Sequence, residues 1–310
     1  MNTLAISLLV LFGVCIGTYG IAVLQHLLAV GPRHIGLAFT LPLRDAVMLL
    51  RQENLLPRGA DTFLFRSAPL VAVAVVALVA LVIPLGPNLI GFDPAIGLFY
   101  FIVLLSPFVV ALMNAGWSQN AKEGVFSTFR AAASLISYEV PIGFAAIGPV
   151  MAAQSLSIQH IVRSQAGLWY VTWQPLGLAI YVLASLFITF RHPFDSALAG
   201  SELEGGVLAE YSGPRLLLFK MALNAIFLIL MSMGVVLFFG GWQGPLLPAP
   251  LWFVLKTFTL AALVLWASRF LPTLRHDQML ALSWKILLPA SLVNITLVGI
   301  LTLIVPGGNP

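Results

Sequence analysis

The chain alternates long apolar runs with short polar gaps. Eight runs stand out, at about 3–28, 67–86, 96–116, 129–153, 172–190, 215–240, 251–270 and 282–305. About 20 apolar residues suffice to cross a bilayer as a helix, and a helix satisfies all of its own backbone polar groups in hydrocarbon. The pattern predicts an all-α, polytopic membrane protein with about eight transmembrane helices. Glycine and proline mark several ends, at Gly31-Pro32, Pro193, Gly240-Gly241 and Pro272. No positive segment or cleavage site precedes the first run, which reads as a retained helix. After it, LPLRDAVMLLRQENLLP (41–57) sets Leu43, Val47, Leu50 and Arg51 on one side, with Arg44, Asp45 and Gln52 elsewhere. That spacing predicts a short amphipathic helix at the membrane interface.

Composition agrees: 60% of the 310 residues are hydrophobic, 8% are charged, and mean hydropathy is +1.02. The net charge of +4 is informative only by location. Of 15 basic residues, all but Arg163 and Lys256 lie in or beside the loops after odd-numbered runs. Those loops, 29–66, 117–128, 191–214 and 271–281, are therefore cytoplasmic, and both termini lie outside. Residues 1–310 form one integral membrane domain. Trp169, Trp173, Trp242 and Trp252 flank the outer ends as an aromatic belt would. The single Cys15 rules out an internal disulfide and any cysteine-rich metal or iron–sulfur site. No P-loop, dinucleotide fingerprint, HExxH or Ser/His/Asp spacing is present. The chain shows no metal site, no redox group of its own and no nucleic-acid signal.

The acids need a separate explanation, because they contribute little to topology. Nine of eleven share the cytoplasmic side, and four, Asp195, Glu202, Glu204 and Glu210, lie in RHPFDSALAGSELEGGVLAEYSG (191–213). They alternate with Phe194, Leu198, Leu203, Val207 and Leu208, which suits a loop folded against a membrane or a partner. A solvated loop is the plainer reading. Glu139 falls inside the fourth run, where an ionisable group costs roughly 2.5–3.5 kcal/mol on insertion scales. Arg130, Ser134, Ser137 and Tyr138 share one side of that helix, and Glu139 lies about 100° beyond Tyr138. Glu139 is either a proton-carrying carboxylate in a hydrated interior or a buried structural acid. Lys220 and Lys256 can snorkel to an interface, and Lys220 can instead pair with an acid of the preceding loop.

HPFD (192–195), EL (202–203) and EYSG (210–213) resemble the cytoplasmic loop of the membrane H-subunit (subunit 1) family of NADH:quinone oxidoreductase, respiratory complex I. The likeness continues in FRAAASLISYEV (129–140), FFGGWQGPLLP (238–248), WFVLKTF (252–258) and LPTLRHDQMLALSWKILLP (271–289). The resemblance implies a proton-translocating membrane-arm subunit in the bacterial inner (cytoplasmic) membrane, with periplasmic termini. It implies docking to hydrophilic redox-arm subunits and to other membrane-arm subunits. Quinone would be the substrate, with FMN and iron–sulfur clusters on partners and no redox cofactor on this chain. Carried over by motif, it makes Glu139, Asp195, Glu202 and Glu210 proton-coupling acids. It sets Glu53, Asp61, Arg130, Tyr138, Arg269 and Arg275 around the quinone chamber. The chain departs from the family where charges give way to Tyr19, Gly20, Leu198, Gly200, Leu223 and Thr273. RDAVMLLRQE (44–53) and Lys220 resemble instead the homologous membrane component of formate hydrogenlyase-type, energy-converting hydrogenases. A free-standing proton-coupled transporter is disfavoured by the lack of an internal repeat.

Overall fold

The computed structural model describes residues 3–30, 35–87, 89–195, 198, 206–245 and 247–304. In chain order the helices are α1 (Thr3–Val30), α2 (Ile35–Arg51), α3 (Thr62–Ala80), α4 (Gly97–Trp117), α5 (Lys122–Ala153), α6 (Ile158–Ser164), α7 (Pro175–Ile188), α8 (Gly213–Phe238), α9 (Ala249–Ser268), α10 (His276–Leu282) and α11 (Leu288–Ile304). A π-helical turn, Ser283–Leu287, joins α10 to α11, so the last span is continuous from His276 to Ile304. The chain is an all-α, polytopic membrane protein.

Among the described residues, seven helical stretches are long and apolar enough to cross a membrane. The fifth expected run is the exception, because α7 has only 14 residues. At 1.5 Å per residue it is about 21 Å long, short of a hydrocarbon core of about 30 Å. It packs among α5, α8 and α11, so protein surrounds its ends, and non-helical backbone is tolerated at membrane depth under that condition. The amphipathic helix α2 starts and ends six residues earlier than the stretch that predicted it: it runs from Ile35 to Arg51, contains Pro42 and leans on α1 and α8.

The second half of α8, from Ala225 to Phe238, is apolar around its circumference, the mark of an interior helix. Every residue from Ala225 to Phe238 is buried, against neighbours that include α1, α3, α7 and α9. Lys256 of α9 does not snorkel into solvent. Its Nζ donates to the carbonyls of Phe239 (2.6 Å), Gln243 (2.7 Å) and Gly241 (3.3 Å), and it lies 4.2 Å from the Trp169 ring centre. The ammonium thus satisfies carbonyls of the Phe239 cap and of the turn that follows α8.

The described part of the acidic loop is docked on the bundle. Phe194 and Val207 are buried, and Leu198 and Leu208 pack against the core. Gln119 Nε2 donates to the Val207 carbonyl, and Tyr211 stacks on Phe65 at 4.1 Å while its Oη donates to the Phe65 carbonyl at 3.1 Å. Burial pushes the Tyr211 phenol up from 10.0 to about 12. An acid raised by folding stabilises the native state at low pH, and that stability is lost as pH rises from the unfolded to the folded value. Tyr211→Phe should therefore lower the melting temperature at pH 8 and lose that effect between pH 10 and about 12, read as the difference from wild type.

Candidate functional site

The first turns of α8, the middle of α1, the middle of α2 and the loop after α7 enclose a chamber of about 540 Å³ at the end of the bundle that carries the basic loops. Its polar wall consists of Gln25 and His26 from α1, Asp45 from α2, Arg191 from the loop, and Lys220 and Asn224 from α8. Arg191 is the anchor. Its Nη2 donates to Asn224 Oδ1 at 2.7 Å, and its guanidinium carbon lies 4.4 Å from the Phe227 ring centre. With its amide oxygen turned inward, Gln25 accepts from the same guanidinium. Arg191 Nε is buried without a hydrogen-bond partner among the described residues. Burial lowers this side chain from 12.5 to about 9. His26 Nε2 stands 3.9 Å from Asp45 Oδ2 across the chamber mouth.

Local backbone strain aims Arg191. α7 ends with the Phe190 amide bonded to the Phe187 carbonyl and the Arg191 amide bonded to the Leu186 carbonyl. This pattern requires a left-handed residue at its turn, where glycine is usual. Here Phe190 occupies the position with φ 47°, a conformation that costs of order 1–2 kcal/mol for a residue with a Cβ. The buried Phe190 ring forms part of the chamber wall.

A second cavity of about 520 Å³ lies between α1, α8 and α9 and shares Tyr19 with the first. Its wall is almost entirely aliphatic and aromatic, with Val10, Leu24, Phe39, Leu228 and Phe258 among the lining residues. Gly17 permits the close approach, because a Cβ there would lie 2.4 Å from a Leu228 methyl. Tyr19 Oη donates to the Phe39 carbonyl at 2.6 Å, tying α1 to α2 where the two cavities meet. A polar chamber and an apolar groove thus lie on either side of Tyr19, side by side at the same end of α1.

None of the described site residues expected from the sequence lines this chamber. Glu139 sits on α5, half-buried, where its Oε1 accepts from Ser106 Oγ of α4. Beside it, Tyr138 is buried with no partner for its Oη among the described residues. Arg130 lies one helical stretch nearer the basic loops and faces His276. Asp195 is close in sequence to Arg191, and its carbonyl accepts from the Leu198 amide at 2.9 Å. Glu53 and Glu210 are exposed; Ser212 Oγ bonds the Glu53 carbonyl at 3.0 Å and so joins the first loop to EYSG. Asp61 caps α3, accepting from the Phe63 and Leu64 amides at 3.0 and 3.2 Å. Asp61→Ala should therefore cost about 1 kcal/mol of stability in thermal melts, and Asp61→Asn much less. Arg269 donates to the Leu28 carbonyl, and Arg275 pairs with Asp277 at 4.0 Å on the surface. Glu202, Glu204, Leu203 and Gly200 lie outside the described residues.

Of the six positions where the resemblance implies a charge that this chain lacks, three line the chamber. Tyr19, Leu198 and Leu223 all line it, so its polarity comes from Gln25, His26, Asp45, Arg191, Lys220 and Asn224 instead. Lys220 and Asn224, four residues apart on α8, carried a readable signal: two polar groups on one helix face inside an apolar run. Gln25 carried none.

These features define a multi-pass, all-α membrane protein with a polar and an apolar cavity flanking Tyr19. Residues 2–299 match the NADH dehydrogenase family, and the chain belongs to it, within the group of NADH-quinone oxidoreductase H-subunits. It is 39% identical over 282 residues to NADH-quinone oxidoreductase H-subunit 2 of Rhizobium meliloti (strain 1021), covering 87% of this chain and 86% of that one. It is 37% identical over 279 residues to H-subunit 2 of Geobacter sulfurreducens, covering 87% and 85%. The relatives are subunits of an oxidoreductase complex.

Proposed function

We propose that this chain is the membrane-arm subunit of a proton-translocating NADH:quinone oxidoreductase that forms the quinone entrance and couples quinone reduction to proton movement. The observation that carries this reading is the pair of cavities flanking Tyr19, one polar and one apolar. The apolar groove suits an isoprenoid tail, and the chamber beside it presents Arg191, Lys220, Asn224 and Gln25 to a quinone head. Donors fixed in a low-dielectric pocket favour the charge that develops on a quinone oxygen during reduction. Carboxylates nearby respond to that charge by taking up or releasing protons. Glu139, hydrogen-bonded inside the membrane, is the next stop for such a proton, and Asp195, Glu202 and Glu210 form the junction with the redox arm. FMN and iron–sulfur clusters belong to partner subunits in this scheme. The basic loops face the cytoplasm of a bacterial cell, with both termini in the periplasm.

A second reading, the membrane component of an energy-converting hydrogenase, gains support from Lys220, which faces the chamber, and from the RDAVMLLRQE stretch of α2. Gentle purification from the native membrane separates the two. NADH-driven quinone reduction by the copurified complex supports the first reading. Hydrogen evolution with nickel present supports the second. A lone polypeptide that moves ions would overturn both.

A further inference from the structure

α5, α7 and α11 meet near the end of the bundle away from the basic loops, and two buried amides converge there. Gln174, the residue that precedes α7, is 1% exposed, and neither its Nε2 nor its Oε1 has a partner among the described residues. Asn294 of α11 is 2% exposed, and its Nδ2 is likewise unpartnered. Glycines let the two amides approach the helix backbones closely. A Cβ on Gly148 of α5 would lie 2.8 Å from Gln174 Oε1 and 3.3 Å from Asn294 Nδ2, and one on Gly177 of α7 would lie 3.1 Å from Asn294 Nδ2. Both amides are buried inside the bundle, where only protein or water can satisfy them.

A cleft of about 550 Å³ separates the ends of α5 and α11 and is lined by Gln154, Ser155 and Thr302 among others. Thr302 lies eight residues beyond Asn294, about 12 Å along the helix. Met151 stands between cleft and junction, its Cε 3.2 Å from where a Cβ on Gly299 would lie. Apolar cavities stay dry, whereas a pocket that offers several polar partners takes up water. An amide in a low-dielectric interior needs such partners.

We propose that Gln174 and Asn294 bind a small water cluster, and that the cleft at Thr302 is its outlet, so the chain carries an aqueous half-channel from the face opposite the basic loops, gated by the flexible Met151 side chain. The half-channel stops about 14 Å along α5 from Glu139. The hydration stands on the geometry; a role in releasing protons rests on the function proposed above.

The test uses the intact complex with Cys15→Ser as background, since Cys15 is the only cysteine. Three single-cysteine variants are treated from that face with a small, membrane-impermeant methanethiosulfonate. Thr302→Cys lies in the cleft, Val298→Cys lies on the buried side of α11 between cleft and junction, and Leu297→Cys lies on the exposed side. Labelling is expected at 302 and 298, with at least a tenfold slower rate at 297. A high-resolution map of the complex should hold water density within hydrogen-bond distance of Gln174 and Asn294, and Gly148→Ala should remove it. An inert Val298→Cys beside a reactive Thr302→Cys would overturn the proposal. So would equal labelling at 297, or a map in which the two amides pack dry against each other. None of these outcomes touches the NADH-driven quinone assay, so the two readings fail separately.

Discussion

A complex carrying Glu139→Gln should assemble normally, oxidise NADH with reduced coupling, and translocate protons about tenfold more slowly, below the ~100-fold typical of a positioned acid–base group because neighbouring groups can share the proton. Glutamine keeps the size of the side chain and an oxygen that accepts from Ser106, so packing between α4 and α5 survives. What it removes is titration. The measurement is acid uptake by proteoliposomes against NADH consumed in the same sample. A wild-type ratio in an assembled complex would make Glu139 a structural acid. Ser106→Ala adds a control: it removes the hydrogen bond and leaves the carboxyl group, so it should slow proton transfer less than Glu139→Gln does.

The second large effect is expected at Arg191. Lysine keeps the positive charge but cannot bond Asn224 and Gln25 together while stacking on Phe227. Losing one charge-assisted hydrogen bond removes roughly 2 kcal/mol. Quinone-linked kcat/KM in Arg191→Lys should then fall about 30-fold. Arg191→Met should fall further and gain nothing from added guanidinium unless the chamber admits it. Asn224→Ala should reproduce part of the loss, and the double variant should fall short of the sum, because both side chains act through one contact. Thermal melts separate a binding effect from unfolding. Because burial lowers Arg191 to about 9, the native state sheds this proton before the unfolded chain does, so stability attributable to Arg191 rises as pH climbs above that value. In Arg191→Met that rise should vanish. Unchanged quinone kinetics in both variants would place the head group elsewhere.

Much of this was legible in the sequence because hydrocarbon imposes a strict length on a helix. The eight apolar runs recover seven full spans and α7, and the basic residues cluster at one end as the loops predicted. The length of α7 was not legible. Its run, 172–190, is apolar enough to span, but the helix begins only at Pro175 after a tight turn, and only its neighbours make that possible. Glu139 was found by its position in the fourth run, and the structure gave it Ser106, a partner on another helix that no local pattern could name. Asp61 shows the converse. The resemblance set it around the quinone chamber; in the structure its carboxylate caps α3, accepting from two backbone amides.

The chamber was the least legible feature. Gln25, Asp45, Arg191 and Asn224 are scattered along the chain and meet only because α1, α2 and α8 pack at one end. The sequence by itself determined a multi-pass helical membrane chain, its charged face and one carboxyl group inside the membrane, because solvent preference is written residue by residue. Tertiary structure alone decided which polar groups share a cavity and which neighbours surround the apolar half of α8, because a helix segment apolar all round records no preferred face.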